Sequence, residues 1–392
     1  MGSVVRLLSA LINAIYRFFC LFPQQRKVAF LSRQSARPFD FTLLEPALKR
    51  ALPGYAFAWA CVPKTGQMTP AVMLKQLWHA ATASVCFVDG YVPAVSVPWG
   101  HHRALCVQVW HAAGAIKRFG RQCLDTREGR TSREAEALAM HCGYDYIVAG
   151  FPGAVPALAR AFGYSEDTVL PLGLPRMDFL LNEGFAAERK RLSAPVGKRL
   201  RDAGCSAGAA HTVLYAPTFR RHPANPSWLE DSICALRSAL PASFDLVVSG
   251  HPLQEVLDCH TEADGHVAFL SGAATIHALP FAEYVISDYS AVVLEAGLVG
   301  KKVLLCVPDI DAYRESPGLN VDPEQELPSI TFRSAEAVAK AVVADAEGTA
   351  PYDRVALAGF MRRYGAPAAN ESHAIEAIAR VSADALERRK GK

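Results

Sequence analysis

His111 stands in Val107-Gln108-Val109-Trp110-His111-Ala112-Ala113-Gly114, directly after an apolar run that reads as a strand. An imidazole there suits taking a proton from a substrate hydroxyl, because its ordinary pKa lies near neutral pH. The same local sequence equally fits a hydrogen-bonded structural histidine. His251 repeats the placement in Val247-Val248-Ser249-Gly250-His251-Pro252: a strand, a glycine permitting close approach, then the histidine. Pro252 suits the first turn of a following helix, whose unpaired N–H groups favour an anion beside His251. Lys117 and Arg118, shortly after His111, suit steering of an anionic substrate, or are ordinary charges on a solvated face.

Two further stretches carry polar side chains after apolar runs. In Leu214-Tyr215-Ala216-Pro217-Thr218-Phe219-Arg220, Thr218 offers a hydroxyl and Arg220 a planar fork matched to phosphate. A lone Arg in such a place also serves in a surface ion pair. In Val285-Ile286-Ser287-Asp288-Tyr289-Ser290, Ser287 and Ser290 can present hydroxyls to phosphate oxygens at a helix start. The plainer alternative is N-capping by Asp288 or Ser290. Glu295, further along that helix and before Gly297 and Gly300, could accept bonds from ribose hydroxyls.

These residues need elements that bring strand ends together. Lys27–Ser32, Tyr55–Val62, Ser84–Asp89, Ala104–Trp110 and Asp145–Ala149 read as buried strands, and Thr42–Ala51, Pro70–Ala81 and Ser132–His141 as helices. The rhythm breaks from Pro175 to His211, where a domain boundary is expected. It resumes with strands Thr212–Ala216, Asp245–Gly250, His266–Leu270, Glu283–Ser287 and Lys302–Val307, and helices Trp228–Leu240, Ser290–Val299 and Ala335–Ala346. The fold class expected is α/β, two Rossmann-like domains whose parallel sheets face a cleft. The expected divisions are a helix over residues 1–23, domains over 24–190 and 191–365, and a last segment, 366–392, whose helix packs back across both.

Composition narrows the function classes. With 392 residues, two domains are the natural expectation. A net charge of +3 gives no dense basic face for nucleic acid. The ten cysteines include no C-x-x-C pair, so neither a zinc site nor a disulfide framework is expected, and the compartment implied is cytoplasmic. Val5, Leu8, Leu11, Ile12, Ile15, Phe18 and Phe19 recur at helical spacing, interrupted by Arg6 and Arg17 and followed by Arg26 and Lys27. That stretch is too charged to span a bilayer and lacks a signal-peptide cleavage site. It fits an amphipathic helix lying on an anionic membrane surface, or a stripe packed on the protein's own body.

Together, Trp110-His111, Tyr215-Ala216-Pro217-Thr218-Phe219-Arg220, Gly250-His251-Pro252, Ser287-Asp288-Tyr289-Ser290 and Tyr313-Arg314-Glu315-Ser316-Pro317-Gly318 resemble the CDP-glycerol glycerophosphotransferase family, which primes and polymerises teichoic acids. Pro175-Arg176-Met177-Asp178 is similar to its G-x-P-R-x-D stretch, and the likeness runs in order from about residue 27 to residue 345. The resemblance implies a GT-B fold, with acceptor on the N-terminal domain, CDP-glycerol on the C-terminal one, and no metal or other cofactor. It makes His111 the candidate base and His251 a second essential histidine, with Arg220, Ser287, Ser290 and Glu295 matching donor-binding positions. Thr218 and Asp288 lie within the same donor motifs, and Lys117 and Arg118 stand on the acceptor side. Ala112, Ala291 and Arg221 depart from the family's frequent Gly, Ser and acidic residue, which bears on acceptor and polyol choice.

The reaction this implies is attack by a hydroxyl of a lipid-linked polyol-phosphate or glycan acceptor on the glycerol-bearing phosphorus of CDP-glycerol, releasing CMP. It would take place at the cytoplasmic face of the membrane, with the enzyme bound peripherally. CDP-ribitol or another CDP-polyol remains open as donor. So does a sugar-nucleotide glycosyltransferase of the same fold, and, outside enzymes, an inert membrane scaffold in wall assembly.

Overall fold

The computed structural model describes residues 2–205, 211–220, 223, 225–250, 266–270, 275–365 and 373–390. The chain divides into two compact units, Met1–Phe179 with Ala366–Lys392, and Leu180–Gly365. The expected division at 190/191 falls inside an unbroken helix, Ala186–Asp202, which belongs to the second unit.

In the first unit β1 (Gln25–Ser32), β2 (Ala56–Cys61), β3 (Ala83–Val88), β4 (Leu105–Val109), β5 (Tyr146–Val148) and β6 (Val169–Leu170) form one sheet ordered β2-β1-β3-β4-β5-β6. Every pairing is parallel. Parallel strands are covered on both faces, which is why β4 is buried along its whole length and reads as a continuous apolar run. Leu31, Cys86, Val88, Cys106 and Ile147 make the core on one face, with Leu77 of helix α3 (Pro70–Thr82) against them. Helix α2 is Phe39–Ala51.

The second unit repeats the plan. Strands β7 (His211–Tyr215), β8 (Phe244–Val248), β9 (Val267–Phe269), β10 (Tyr284–Ser287), β11 (Lys302–Cys306) and β12 (Thr331–Phe332) are ordered β12-β11-β10-β7-β8-β9, again all parallel. Ile233 and Leu236 of one helix, with Val338 and Val342 of another, cover Val213, Leu246, Val248, Ile286 and Leu304. In each sheet the chain runs outward on one side and then returns to build the other side. The strand order therefore reverses between β1 and β3, and between β7 and β10. Loops at the carboxyl ends of such a pair splay apart and leave the crevice in which open α/β sheets bind ligands.

Helix α1 (Gly2–Phe19) is part of the first unit rather than a separate segment. Ile12 and Tyr16 are buried in its core, and Phe19 packs edge-on against Trp78 of α3. A second apolar face stays outside: Val4, Leu7, Leu11 and Phe18 are each more than half exposed. The stripe thus has two faces, one for the body and one for the surroundings. No helix among the described residues is long and apolar enough to cross a membrane.

The helix Ala374–Lys390, expected to pack across both domains, is grouped with the first unit. Asp178 explains its attachment. Its buried carboxylate accepts from the backbone N–H of Ala374 and of Ile375, both at 2.9 Å, and so caps a helix far along the chain. Gly173 lies beneath that junction at φ +83°, where a Cβ would sit 3.0 Å from that of Ala374. Arg176, between them, grips Asp40 of α2 through Nε and Nη2 at 3.0 and 2.6 Å. The G-x-P-R-x-D stretch therefore fastens segments of the first unit to one another.

The helix expected over Ser132–His141 ends at Ala137, because Ala139 and His141 take positive φ of 44° and 62°. The described cysteines are free thiols, most of them buried.

Candidate active site

In the first unit, the reversal point is spanned by a hydrogen bond from Ser32 Oγ, ending β1, to Asp89 Oδ2, just after β3, at 2.7 Å. Ser32 Oγ in turn accepts from the Gln34 N–H at 3.0 Å. His111, after β4, donates from Nδ1 to the backbone carbonyl of Asp89 at 2.6 Å. A carbonyl can only accept, so this bond fixes the proton on Nδ1 and leaves the lone pair of the neutral ring on Nε2. The ring is braced by Trp110, with centroids 4.0 Å apart, and Trp110 is itself stacked on Phe119 at 4.8 Å. His111 is half-buried. The hydrogen bond and the stacked Trp110 hold the imidazole in place, as the structural reading of its local sequence has it.

Asp89 was not singled out by its sequence context, where it ends an apolar run. Its carboxyl is 3% exposed, and Oδ1 has no hydrogen-bond partner among the described residues. Burial pushes it up to about 7, against the pull of the Ser32 hydroxyl. Close by, burial lowers His141 to about 3, aided by the charges of Arg121, His111 and Arg130, so its ring is neutral. Lys117 is half-buried and Arg118 exposed on the loop after β4, where their charges lower the Cys123 thiol against the stronger upward push of its burial.

The second reversal point has the same device. The backbone N–H of Thr218, after β7, donates to both carboxylate oxygens of Asp288, after β10, at 2.9 and 3.0 Å, and its hydroxyl donates to Oδ1 at 2.5 Å. Ser287, fully buried, donates to the carbonyl of Ala216 at 2.7 Å. These bonds tie the β7 and β10 exits together. The Ser290 hydroxyl is half-buried and accepts from the Val292 N–H at 3.3 Å, one residue ahead of the helix's N-cap, Ala291, which makes no side-chain cap bond. Glu295 is buried at 4% exposure on the helix Val292–Leu298.

Arg220 sits deeper than a phosphate fork read from sequence would. Its Nε and Nη2 take both oxygens of Asp309 at 3.0 Å, while Nη1 donates to the Thr218 carbonyl at 2.6 Å and to Asp288. Trp228, Tyr289 and Tyr313 surround the guanidinium at 4.5, 5.4 and 5.4 Å. Burial works against its charge, but the two carboxylates outweigh burial and hold its pKa well above the ordinary value. The fork faces Asp309 because the β10 and β11 exits each carry an acid beside it. Arg220 therefore organises the loop that carries Thr218.

His251 lies outside the described residues. Among the described residues, no group of three or more His, Cys, Asp or Glu is placed to hold a metal ion.

Residues 14–370 match the family described as CDP-glycerol:poly(glycerophosphate) glycerophosphotransferase. The chain is 30% identical over 241 residues to the teichoic acid ribitol-phosphate primase of Bacillus spizizenii, a stretch covering 60% of each protein. It is 26% identical over 255 residues to the teichoic acid glycerol-phosphate primase of Bacillus subtilis, covering 64% of this chain and 63% of that one. Among solved structures, the wall teichoic acid polymerase TagF superposes with a TM-score of 0.71 at 15% identity, covering 100% of this chain and 98% of that one. The UDP-GlcNAc 2-epimerase of Neisseria meningitidis gives 0.58 at 12% identity, covering 93% of this chain and 100% of that one. Both likenesses concern the fold, two parallel-sheet α/β domains of GT-B-like type.

Proposed function

The chain belongs to the CDP-glycerol:poly(glycerophosphate) glycerophosphotransferase family, and on that premise we propose that it transfers glycerol phosphate from CDP-glycerol to a lipid-linked teichoic-acid-type acceptor. The acceptor oxygen bonds to the glycerol-bearing phosphorus, the bond from that phosphorus to the oxygen of CMP breaks, and CMP leaves. His111 Nε2 takes the acceptor proton. The observation that carries this reading is the bond from His111 Nδ1 to the Asp89 carbonyl, which leaves Nε2 as the basic nitrogen whenever the ring is neutral.

On the donor side the reading assigns Thr218, Ser287, Asp288, Ser290, Glu295 and Arg220, with His251 at the phosphates. Asp288, Ser287 and Arg220 act by ordering the β7 and β10 exits, as their mutual bonds support. The transfer needs no resident metal in this reading, since phosphoryl transfer asks mainly for positioning and charge neutralisation. The outer face of α1 supports peripheral attachment to an anionic membrane, with the catalytic units in the cytoplasm. CDP-ribitol is a second donor reading, favoured by the 30% identity to a ribitol-phosphate primase.

CMP release from CDP-glycerol, CDP-ribitol and a panel of UDP-sugars, each with a synthetic lipid-linked acceptor, tests the function. Acceptor-dependent CMP release is expected, unchanged by chelator. Turnover of a UDP-sugar with none of the CDP-polyols would overturn it.

A further inference from the structure

Beside the base, the first unit carries two arginines that no sequence motif marked. Arg33 follows Ser32 at the end of β1, and Arg130 lies on the connection between β4 and β5. Their guanidinium carbons are 5.9 and 6.0 Å from the centroid of the same ring, that of Tyr91. The Tyr91 hydroxyl donates to the Leu138 carbonyl at 2.9 Å, which fixes the ring between strand exit and loop. Arg33 makes one long bond, 3.4 Å, to the Tyr91 carbonyl, and neither arginine forms an ion pair among the described residues.

That pairing is electrostatically unfavourable as it stands. Burial lowers the pKa of Arg33, and the neighbouring Arg130 charge lowers it further. Among the described residues no acid pairs with either arginine, Glu128 and Glu136 on the same connection included, and four others are engaged elsewhere. Asp40 holds Arg176, Asp125 accepts from Ser132, Glu134 closes the cap on Thr131, and Asp89 is buried against Ser32. Two guanidinium forks without a carboxylate, at the carboxyl edge of a parallel sheet and at its reversal point, present donors suited to phosphate oxygens.

The site is next to the chemistry. Asp89, whose carbonyl holds His111, is two residues before Tyr91. A Cβ on the intervening Gly90 would lie 3.9 Å from His111 Nδ1. His141 packs on Tyr91 at 5.7 Å, and its ring feels the charges of both His111 and Arg130.

We propose that Arg33 and Arg130, gathered on Tyr91, bind a phosphodiester of the acceptor and thereby bring its terminal hydroxyl to His111. The proposal rests on the first unit being the acceptor side. What it adds is the pair of side chains that hold the acceptor's phosphate beside His111.

The test is equilibrium binding to the full chain, with circular dichroism to confirm folding. The probes are a synthetic glycerol-phosphate trimer, a phosphate-free polyol of equal length, CDP-glycerol, and phosphatidylglycerol vesicles. Arg33→Gln and Arg130→Gln should each weaken the trimer about tenfold or more, the scale of a lost charge-assisted bond. Lysine at either position should recover part of the loss. Binding of the neutral polyol, CDP-glycerol and vesicles should not change, nor should Arg191→Gln, on the other unit, alter the trimer. Equal trimer binding by wild type and the double Gln variant would overturn the site. So would a loss seen with CDP-glycerol or vesicles instead of the trimer. If no CDP-polyol is turned over but trimer binding still needs both arginines, the proposed function fails and the phosphate site stands. If turnover holds while trimer binding ignores them, the site alone fails.

Discussion

His111 and Asp89 are linked twice over, through the backbone carbonyl that fixes the imidazole tautomer and through a loop tied down by Ser32. The side chain of Asp89 carries a separate cost. A carboxyl held at about 7 in the folded chain and near 3.8 when unfolded is protonated in the native state across that interval. The folded state then binds more protons, so stability is greatest at low pH and falls as pH rises from about 4 to about 7. Asp89→Asn keeps the shape and an acceptor for Ser32 but removes the titration. At about pH 3.5 the variant and wild type should have similar denaturation midpoints, and by about pH 8 the variant should be the more stable. A difference that stays constant or shrinks with pH would show that the carboxyl is not protonated in the fold. His111 and Thr218 are legible in sequence because each follows a strand, where open sheets present their chemistry. Asp89, Arg33 and Arg130 are not. Asp89 looks like the polar end of an apolar run, and the two arginines meet only because β1 and the loop after β4 reach the same tyrosine.

Elements repeat that lesson. Long buried strands announce themselves as apolar runs, whereas β6 and β12, two residues each, are too short to leave a pattern. Helix α1 was legible as an apolar stripe, but periodicity does not say which part of the stripe meets the body. Ile12 and Tyr16 are buried while Leu7, Leu11 and Phe18 are 73%, 55% and 58% exposed. Removing the whole helix therefore opens the core, and the informative variant changes only the outer face. Replacing Leu7, Leu11 and Phe18 together by Gln should leave the denaturation midpoint unchanged and lower binding to anionic vesicles more than tenfold, given about 1.5–3 kcal/mol for each large apolar side chain withdrawn from water. Vesicle binding equal to wild type would remove α1 as the attachment. At the other end of the chain, Asp178→Ala should destabilise the first unit by about 1–3 kcal/mol, because it strands the buried N–H groups of Ala374 and Ile375. Denaturant titration measures this, and no loss would mean that another group caps the final helix.

At the scale of the whole molecule, two all-parallel sheets of different strand order each reverse that order once. Each reversal is bridged by a hydroxyl on one strand exit and a buried aspartate on the other, Ser32 with Asp89 and Thr218 with Asp288. The alternation of strands and helices made two such domains legible. The compact units divide at 179/180 and 365/366, because the helix after Pro175 links them without a change in composition and the chain's last helix returns to the first unit. Family membership and this paired architecture make transfer of a polyol phosphate the central claim. The most direct measurement is the mass of a defined lipid-linked acceptor after incubation with CDP-glycerol or CDP-ribitol, taken beside CMP release. Wild type should add whole polyol-phosphate increments to the acceptor in step with CMP, and His111→Ala should do so about 10²–10⁴-fold more slowly. CMP release without mass gain, a sugar increment from a UDP-sugar instead, or undiminished transfer by His111→Ala would contradict the account.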